Sequence, residues 1–195
     1  PEVNRMNSSL PWNEVFEQAL PYEPFLQRHG TDGHRLRWKS VHDRIHLSPE
    51  QTTLLGSFQR RMHVLCLAGA WCGDCVNQCP IFDHFQSASS AMVVRYLDRD
   101  ALPEVRDALA MNGGHRVPMV VFLSEDFQEV ARYGDRTLST YRRLARDQLG
   151  SACPTGLVPP EDHALDTVVL EWLDQFERAE LVLRLSPRLR SLHND

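Results

Sequence analysis

The stretch Val64-Leu65-Cys66-Leu67-Ala68 runs into Trp71-Cys72-Gly73-Asp74-Cys75. Met62 to Ala68 is almost continuously apolar, the pattern of a central strand covered on both faces. A stretch of helical character follows, from Cys72 to about Gln86. Two cysteines separated by two residues can close a disulfide without long-range folding, and between a strand and a helix they read as a redox dithiol. Cys72 then stands at the helix N-terminus, where unpaired backbone N–H groups and the positive end of the helix dipole favour a thiolate. A thiolate there attacks a disulfide, and the second cysteine resolves the mixed disulfide. A zinc site is the rival, but it normally takes four ligands, often as two such pairs. The sequence holds no second pair, so no metal is expected.

Trp71-Cys72-Gly73-Asp74-Cys75 resembles the Trp-Cys-Gly-Pro-Cys of thioredoxins, with Asp74 in place of proline. Pro80 follows Cys75 by five residues, where thioredoxins carry the proline that kinks this helix. Val117-Pro118 precedes the β-rich run Met119 to Leu123 and resembles the family's cis-proline loop, which faces the disulfide. With Ala70, the set is similar to bacterial thioredoxin-like families bearing an Ala-Trp-Cys-Gly-Asp-Cys signature, over roughly residues 48–150. The resemblance implies a thioredoxin fold, a central mixed β-sheet flanked by helices, carrying N-terminal and C-terminal helical extensions. It implies a thiol–disulfide oxidoreductase in which Cys72 attacks and Cys75 resolves. Trp71, Gly73, Asp74, Val117 and Pro118 then shape and tune the groove, and Val117 offers its backbone to an incoming peptide. Cys66 is a departure. Thioredoxins usually carry a buried Asp at that place, and a thiol neutral near pH 7 cannot act as the same base.

Composition sets outer bounds. A chain of 195 residues suits one large domain or a domain with extensions. A net charge of −5 with interspersed signs argues against general nucleic-acid or anionic-membrane binding. No apolar run approaches the roughly 20 residues a membrane span needs. Five cysteines, an odd number without framework spacing, fit a reducing compartment better than a disulfide scaffold. The polar opening residues lack a signal-peptide pattern, so a cytoplasmic protein is expected.

Periodicity places the elements. Residues 1–10 read as a loose terminus. Trp12 to Leu26 has helical spacing interrupted by Pro21 and Pro24, so two short helices are expected, then a turn at Gly30-Thr31-Asp32-Gly33. Trp38, Val41 and Ile45 have helix-like spacing. Ser48-Pro49-Glu50-Gln51 is a helix start with a capping box, and the helix is expected to reach about Arg61. After the Cys72 helix come a strand at Ala91–Leu97, a helix at Pro103–Met111 stopped by Asn112-Gly113-Gly114, a hairpin of Met119–Leu123 with Gln128–Tyr133, and a helix at Leu138–Leu149. Cys153 to Pro160 reads as a linker. Glu161 to about Leu185 is amphipathic, with Ser186-Pro187 ending it ahead of a basic tail. The expected division is 1–47, an N-terminal helical extension; 48–150, the thioredoxin-like domain; and 151–195, linker and C-terminal helix.

Asp74 should disfavour a neighbouring thiolate by like-charge repulsion, which favours a reductant. Cys79, four residues after Cys75, shares its helix face and reads as packing or as a third redox thiol. Cys66 reads as a small core residue, and Cys153 as incidental. His29, His34, His42 and His46 form no metal signature, and His115 could line the site from the Val117-Pro118 loop. No cofactor is implied beyond the Cys72–Cys75 disulfide itself. The partners implied are a protein or small-molecule disulfide and a reductase that recycles the pair. The alternatives are a partner-binding module on the same fold, or a specialised enzyme for peroxide or low-molecular-weight disulfides. Substrate and oligomeric state are not legible.

Overall fold

The computed structural model describes residues 10–150 and 161–195. Four strands, β1 (Met62–Ala68), β2 (Met92–Asp98), β3 (Met119–Leu123) and β4 (Glu129–Gly134), form one sheet in the order β2-β1-β3-β4. β1 pairs in parallel with β2 and antiparallel with β3, and β3 pairs antiparallel with β4. The parallel pair needs a crossover, supplied by α5 (Gly73–Ala88). β1 lies inside the sheet and is buried at every position but His63, so the apolar run that leads to Cys72 is a core strand.

The remaining helices are α1 (Trp12–Gln18), α2 (Tyr22–His29), α3 (Asp32–His42), α4 (Pro49–Gly56), α6 (Pro103–Ala108), α7 (Leu138–Leu149), α8 (Ala164–Leu185) and α9 (Pro187–His193). A 3₁₀ turn at Glu161–His163 opens α8. The prolines do separate α1 from α2, and Leu20 between them exchanges two backbone hydrogen bonds with Tyr96, 2.8 and 2.7 Å. The N-terminal segment thereby covers part of the edge that β2 would otherwise expose.

The two terminal segments enter the core of the sheet. One hydrophobic cluster holds Trp12, Phe16, Phe25 and Trp38 from α1–α3 together with Leu65, Val120 and Phe122 of the sheet and Trp172, Phe176 and Leu183 of α8.

Local differences from the expected elements have identifiable causes. The turn expected at residues 30–33 is shorter, because Thr31 caps α3 through a reciprocal capping box with His34 and Gly33 enters the helix. α4 stops at Gly56 instead of reaching Arg61. The amides of Gln59 and Arg60 donate to the buried Glu180 carboxylate of α8 at 2.8 and 3.2 Å, a tertiary partner that replaces helical acceptors. α6 ends at Ala108, and Met111 and Gly114 instead close a tight turn with hydrogen bonds of 2.9 and 3.0 Å. The basic tail is helical. Ser186 accepts from the Leu189 amide, Pro187 takes the first helical position, and Leu189 is buried, so the pair that ends α8 starts α9. The linker 151–160, Cys153 included, and residues 1–9 lie outside the described residues.

Candidate active site

The site forms where β1 hands the chain to α5. Cys72 is the N-cap of α5 in extended conformation, half-buried, and Cys75 is fully buried one turn later. Cys72 donates to the Val117 carbonyl across the site at 3.6 Å, and the Val117–Pro118 peptide is cis. The chain thus brings the dithiol and the proline loop together over 45 residues of sequence. Gly134 permits this. It sits opposite Met119 at φ +154, and a Cβ there would lie 2.4 Å from the Pro118 carbonyl oxygen. Gly73 has the opposite surroundings. A Cβ on it would meet no atom of the chain within 4 Å, so any need for glycine there arises from what approaches from outside.

The thiols titrate as a unit. Cys72 is pushed far up, first by its hydrogen bond to Cys75 and then by burial. Cys75, although burial opposes it, is drawn below the ordinary thiol range by hydrogen bonds from Cys72, from Cys79 and from the Gly69 amide, the last at 3.4 Å. A single proton is shared, and the low ionisation belongs to the pair. When that proton sits on Cys75, the Cys72 thiolate faces the backbone N–H groups of Asp74 and Cys75, which lower its pKa, and it is the sulfur that solvent reaches.

Asp74 does not stand as the open charge expected from the sequence. Arg136, just after β4, grips its carboxylate in two contacts, Nε–Oδ1 at 3.0 Å and Nη2–Oδ2 at 2.8 Å. The repulsion it exerts on the thiols is therefore largely compensated, and Asp74 raises the Cys75 thiol only behind burial and the hydrogen bonds. Trp71 lies beside the dithiol with 48% of its surface exposed, and Arg99 covers its ring at 4.7 Å. Gly69 admits this arrangement, since a Cβ there would lie 2.7 Å from the indole.

Four residues that the sequence left unmarked hold the site in place. Trp38 of α3 donates its indole N–H to the Ala70 carbonyl at 2.9 Å, wholly buried, and so pins the loop in front of Cys72. Gln78 of α5 donates to the Asp74 and Asp135 carbonyls at 3.2 and 2.9 Å and accepts from Trp172 of α8 at 2.9 Å. Arg99, after β2, is near enough for the Cys72 charge to contribute to its own raised pKa, behind the larger effects of Asp100 and Asp98. Their only sequence signal was the helical spacing of Trp38 and Trp172. The partners of Gln78 and Arg99 come from distant elements.

The histidines are taken up structurally. His42 contacts Asp83 at 3.0 Å, His84 meets the His42 carbonyl at 3.1 Å, and their rings lie 4.1 Å apart. His115 pairs with Asp107 of α6 at 3.0 Å. Among the described residues no group of three or more His, Cys, Asp or Glu is arranged to hold a metal, and no helix is long and apolar enough to cross a membrane.

A mixed four-stranded sheet, a C-x-x-C at the N-terminus of the helix after β1 and a cis-proline ahead of β3 define the thioredoxin-fold class. The family model described as Thioredoxin matches residues 22–145, more than half of the chain, and the chain belongs to that family. The match begins at α2, so it takes in two of the N-terminal helices. No curated protein matches the sequence. Among solved structures the chain is similar to a Pseudomonas aeruginosa protein of unknown function, determined at 1.5 Å. The TM-score is 0.63 with 20% identity, covering 84% of this chain and 98% of that one. It is also similar to an HIV epitope-scaffold, with TM-score 0.63 and 18% identity over 85% of this chain and 98% of the other. At these identities the likeness is one of fold.

Proposed function

We propose that the protein is a thiol–disulfide oxidoreductase that reduces disulfides through the Cys72/Cys75 pair. The observation that carries the reading is the arrangement of Cys72: half-buried at the helix N-cap, hydrogen-bonded to Val117 at 3.6 Å, with the buried Cys75 behind it. A substrate segment laid along the Val117-Pro118 loop presents its disulfide to the Cys72 sulfur. Cys72 thiolate attacks one substrate sulfur and the other leaves as thiolate. Cys75 then attacks Cys72, the substrate's second thiol departs, and the pair is left as a disulfide. An external reductase or small thiol restores the dithiol. Cys66, in the place of the family's buried Asp, is fully buried and burial pushes its thiol up. It therefore supplies no base, and the Cys75 proton goes to the substrate thiolate released in the first step, directly or through solvent.

The test is the reduction potential of the pair, measured by equilibration in defined thiol buffers and mass counting of alkylated cysteines, together with reduction of a disulfide-bonded protein. A reversible two-electron couple near or below about −270 mV, with turnover abolished in Cys72→Ser, is expected. A potential near about −120 mV would reverse the direction. The absence of any reversible couple would sink the reading.

A further inference from the structure

The dithiol does not end at Cys75. Cys79 lies one helical turn further along the same face of α5, where its thiol and that of Cys75 act on each other's ionisation. Beyond it stands Cys66 of β1, with the Cys66 and Cys79 sulfurs 3.7 Å apart. Both residues are 0% exposed. The four cysteines thus run from the half-open Cys72 at the helix N-cap to the fully buried Cys66 and Cys79 in the core. The two inner ones belong to a strand and a helix that pack face to face, so their side chains converge.

Resting on the oxidoreductase reading above, we propose that Cys66 and Cys79 are a second, buried dithiol that accepts the disulfide from the Cys72/Cys75 pair. An S–S bond is about 2.05 Å long, so closure from 3.7 Å asks for about 1.7 Å of approach. Side-chain rotation and a small strand-to-helix adjustment share that movement.

The exchange begins with Cys72–Cys75 oxidised by substrate. Cys79 thiolate attacks the Cys75 sulfur, the Cys72–Cys75 bond breaks, and Cys72 leaves as a thiolate. Cys66 thiolate next attacks Cys79, the Cys75–Cys79 bond breaks, and Cys75 leaves. The two protons given up by Cys66 and Cys79 end on Cys72 and Cys75. One disulfide is exchanged for another, and the oxidising equivalents are those of the substrate disulfide. A bridge between residues four apart on a helix spans Cβ atoms about 5–6 Å apart, wider than the roughly 3.5–4.5 Å of a relaxed disulfide. Cys75–Cys79 is therefore crossed without accumulating, and Cys66–Cys79 is the resting place. Burial holds both inner thiols up, so this inward step is slower than exchange at the surface. The consequence is capacity. A fully reduced molecule holds four transferable electrons and reduces two substrate disulfides before it must be recycled.

The experiment uses the full chain carrying Cys153→Ser, which removes the fifth thiol. The reduced protein is equilibrated across oxidised and reduced dithiothreitol ratios, quenched in acid, unfolded, alkylated and mapped by mass. Loss of four thiols in two two-electron steps, with a Cys66–Cys79 peptide pair, is expected. Cys66→Ala and Cys79→Ala should each lose two, at Cys72 and Cys75, and reduce half as much substrate per molecule. Adding Cys72→Ser should leave Cys66 and Cys79 reduced. The inference is overturned if the parent loses only the two outer thiols, or if Cys66–Cys79 forms equally fast with Cys72→Ser. In either case a normal Cys72/Cys75 couple leaves the oxidoreductase reading standing. Loss of that outer couple itself defeats the reading instead.

Discussion

At the scale of single residues, charges beside the dithiol decide its behaviour, and the sequence showed only one of them. Asp74 was visible between the cysteines. Its partner Arg136 lies 62 positions away, and neither spacing nor composition ties the two together. This pairing makes opposite outcomes follow from removing its two halves. Asp74→Asn leaves the Arg136 cation beside the thiols, which stabilises a thiolate, lowers the pair's first ionisation and raises the reduction potential. Arg136→Met leaves the carboxylate uncompensated and moves both quantities the other way. Each shift is expected to be about one pKa unit, read from the pH dependence of Cys72 alkylation. The double variant should return close to the wild type, because both halves of one interaction are then gone. Shifts of equal sign from the two single variants would refute the pairing. Arg99 lies over the Trp71 ring and its charge is largely open to solvent, so Arg99→Met should slow alkylation of Cys72 near pH 7 only a few-fold, about the effect of one screened charge.

Among the elements, α5 carries Cys75 and the N-cap Cys72, and α8 holds α5. The strands and the long helices were legible because their burial patterns repeat along the chain, at every residue in β3, at every residue but His63 in β1 and at helical spacing in α8. What was not legible depended on distant partners. α4 ends early because Glu180 accepts its following amides, and α9 exists because Leu189 finds a place in the core. The join between α5 and α8 is the buried Trp172, whose N–H meets Gln78 and whose ring packs edge-on against Phe82 and Tyr133 at 4.6 and 4.9 Å. Trp172→Phe keeps most of the packing but strands the Gln78 carbonyl oxygen, at a cost of about 1–3 kcal/mol. Trp172→Ala adds a cavity and should cost about 3–5 kcal/mol, both measured by denaturant unfolding. Because Gln78 also holds the Asp74 and Asp135 carbonyls, the Phe variant should in addition lower the rate of substrate reduction. A stability loss with no change in rate would show that α8 supports the core but not the first turn of α5.

For the molecule as a whole, the succession of helices and strands and the position of the dithiol between a strand and a helix followed from the chain pattern, and the mixed sheet from the family resemblance. The depth to which the terminal helices enter the core did not, because amphipathic spacing marks a buried face without naming its partner. Two histidines lie on the seams so formed. His63 of β1 packs between Phe16 of α1 and Phe127, stacked on the latter at 4.3 Å. His84 of α5 lies against His42 of α3, the rings tilted 36° to one another. Both have pKa values below the ordinary 6.5. Burial is the first cause in each, joined by Arg61 and Arg95 near His63 and by His42 and His46 near His84, while hydrogen bonds to backbone carbonyls and, for His84, the Asp83 charge act in the other direction. A histidine with a depressed folded pKa is held neutral by the fold, so the unfolded chain takes up protons first as pH falls. The stability it contributes is complete above about pH 6.5 and declines from there toward the folded value. Carboxylates held below their usual range, such as Asp126 against Arg188, lose their contribution only at still lower pH, below the ordinary carboxylate range. Unfolding free energy should therefore begin to fall near pH 6.5, well above the acid transition of the carboxylates. His63→Phe keeps a ring against Phe127 and removes a titrating group, so the slope between pH 6.5 and 5 should flatten even if the loss of the Ser124 hydrogen bond lowers stability overall. An unchanged slope in that variant would mean that the seam between α1 and the sheet does not sense acid through His63.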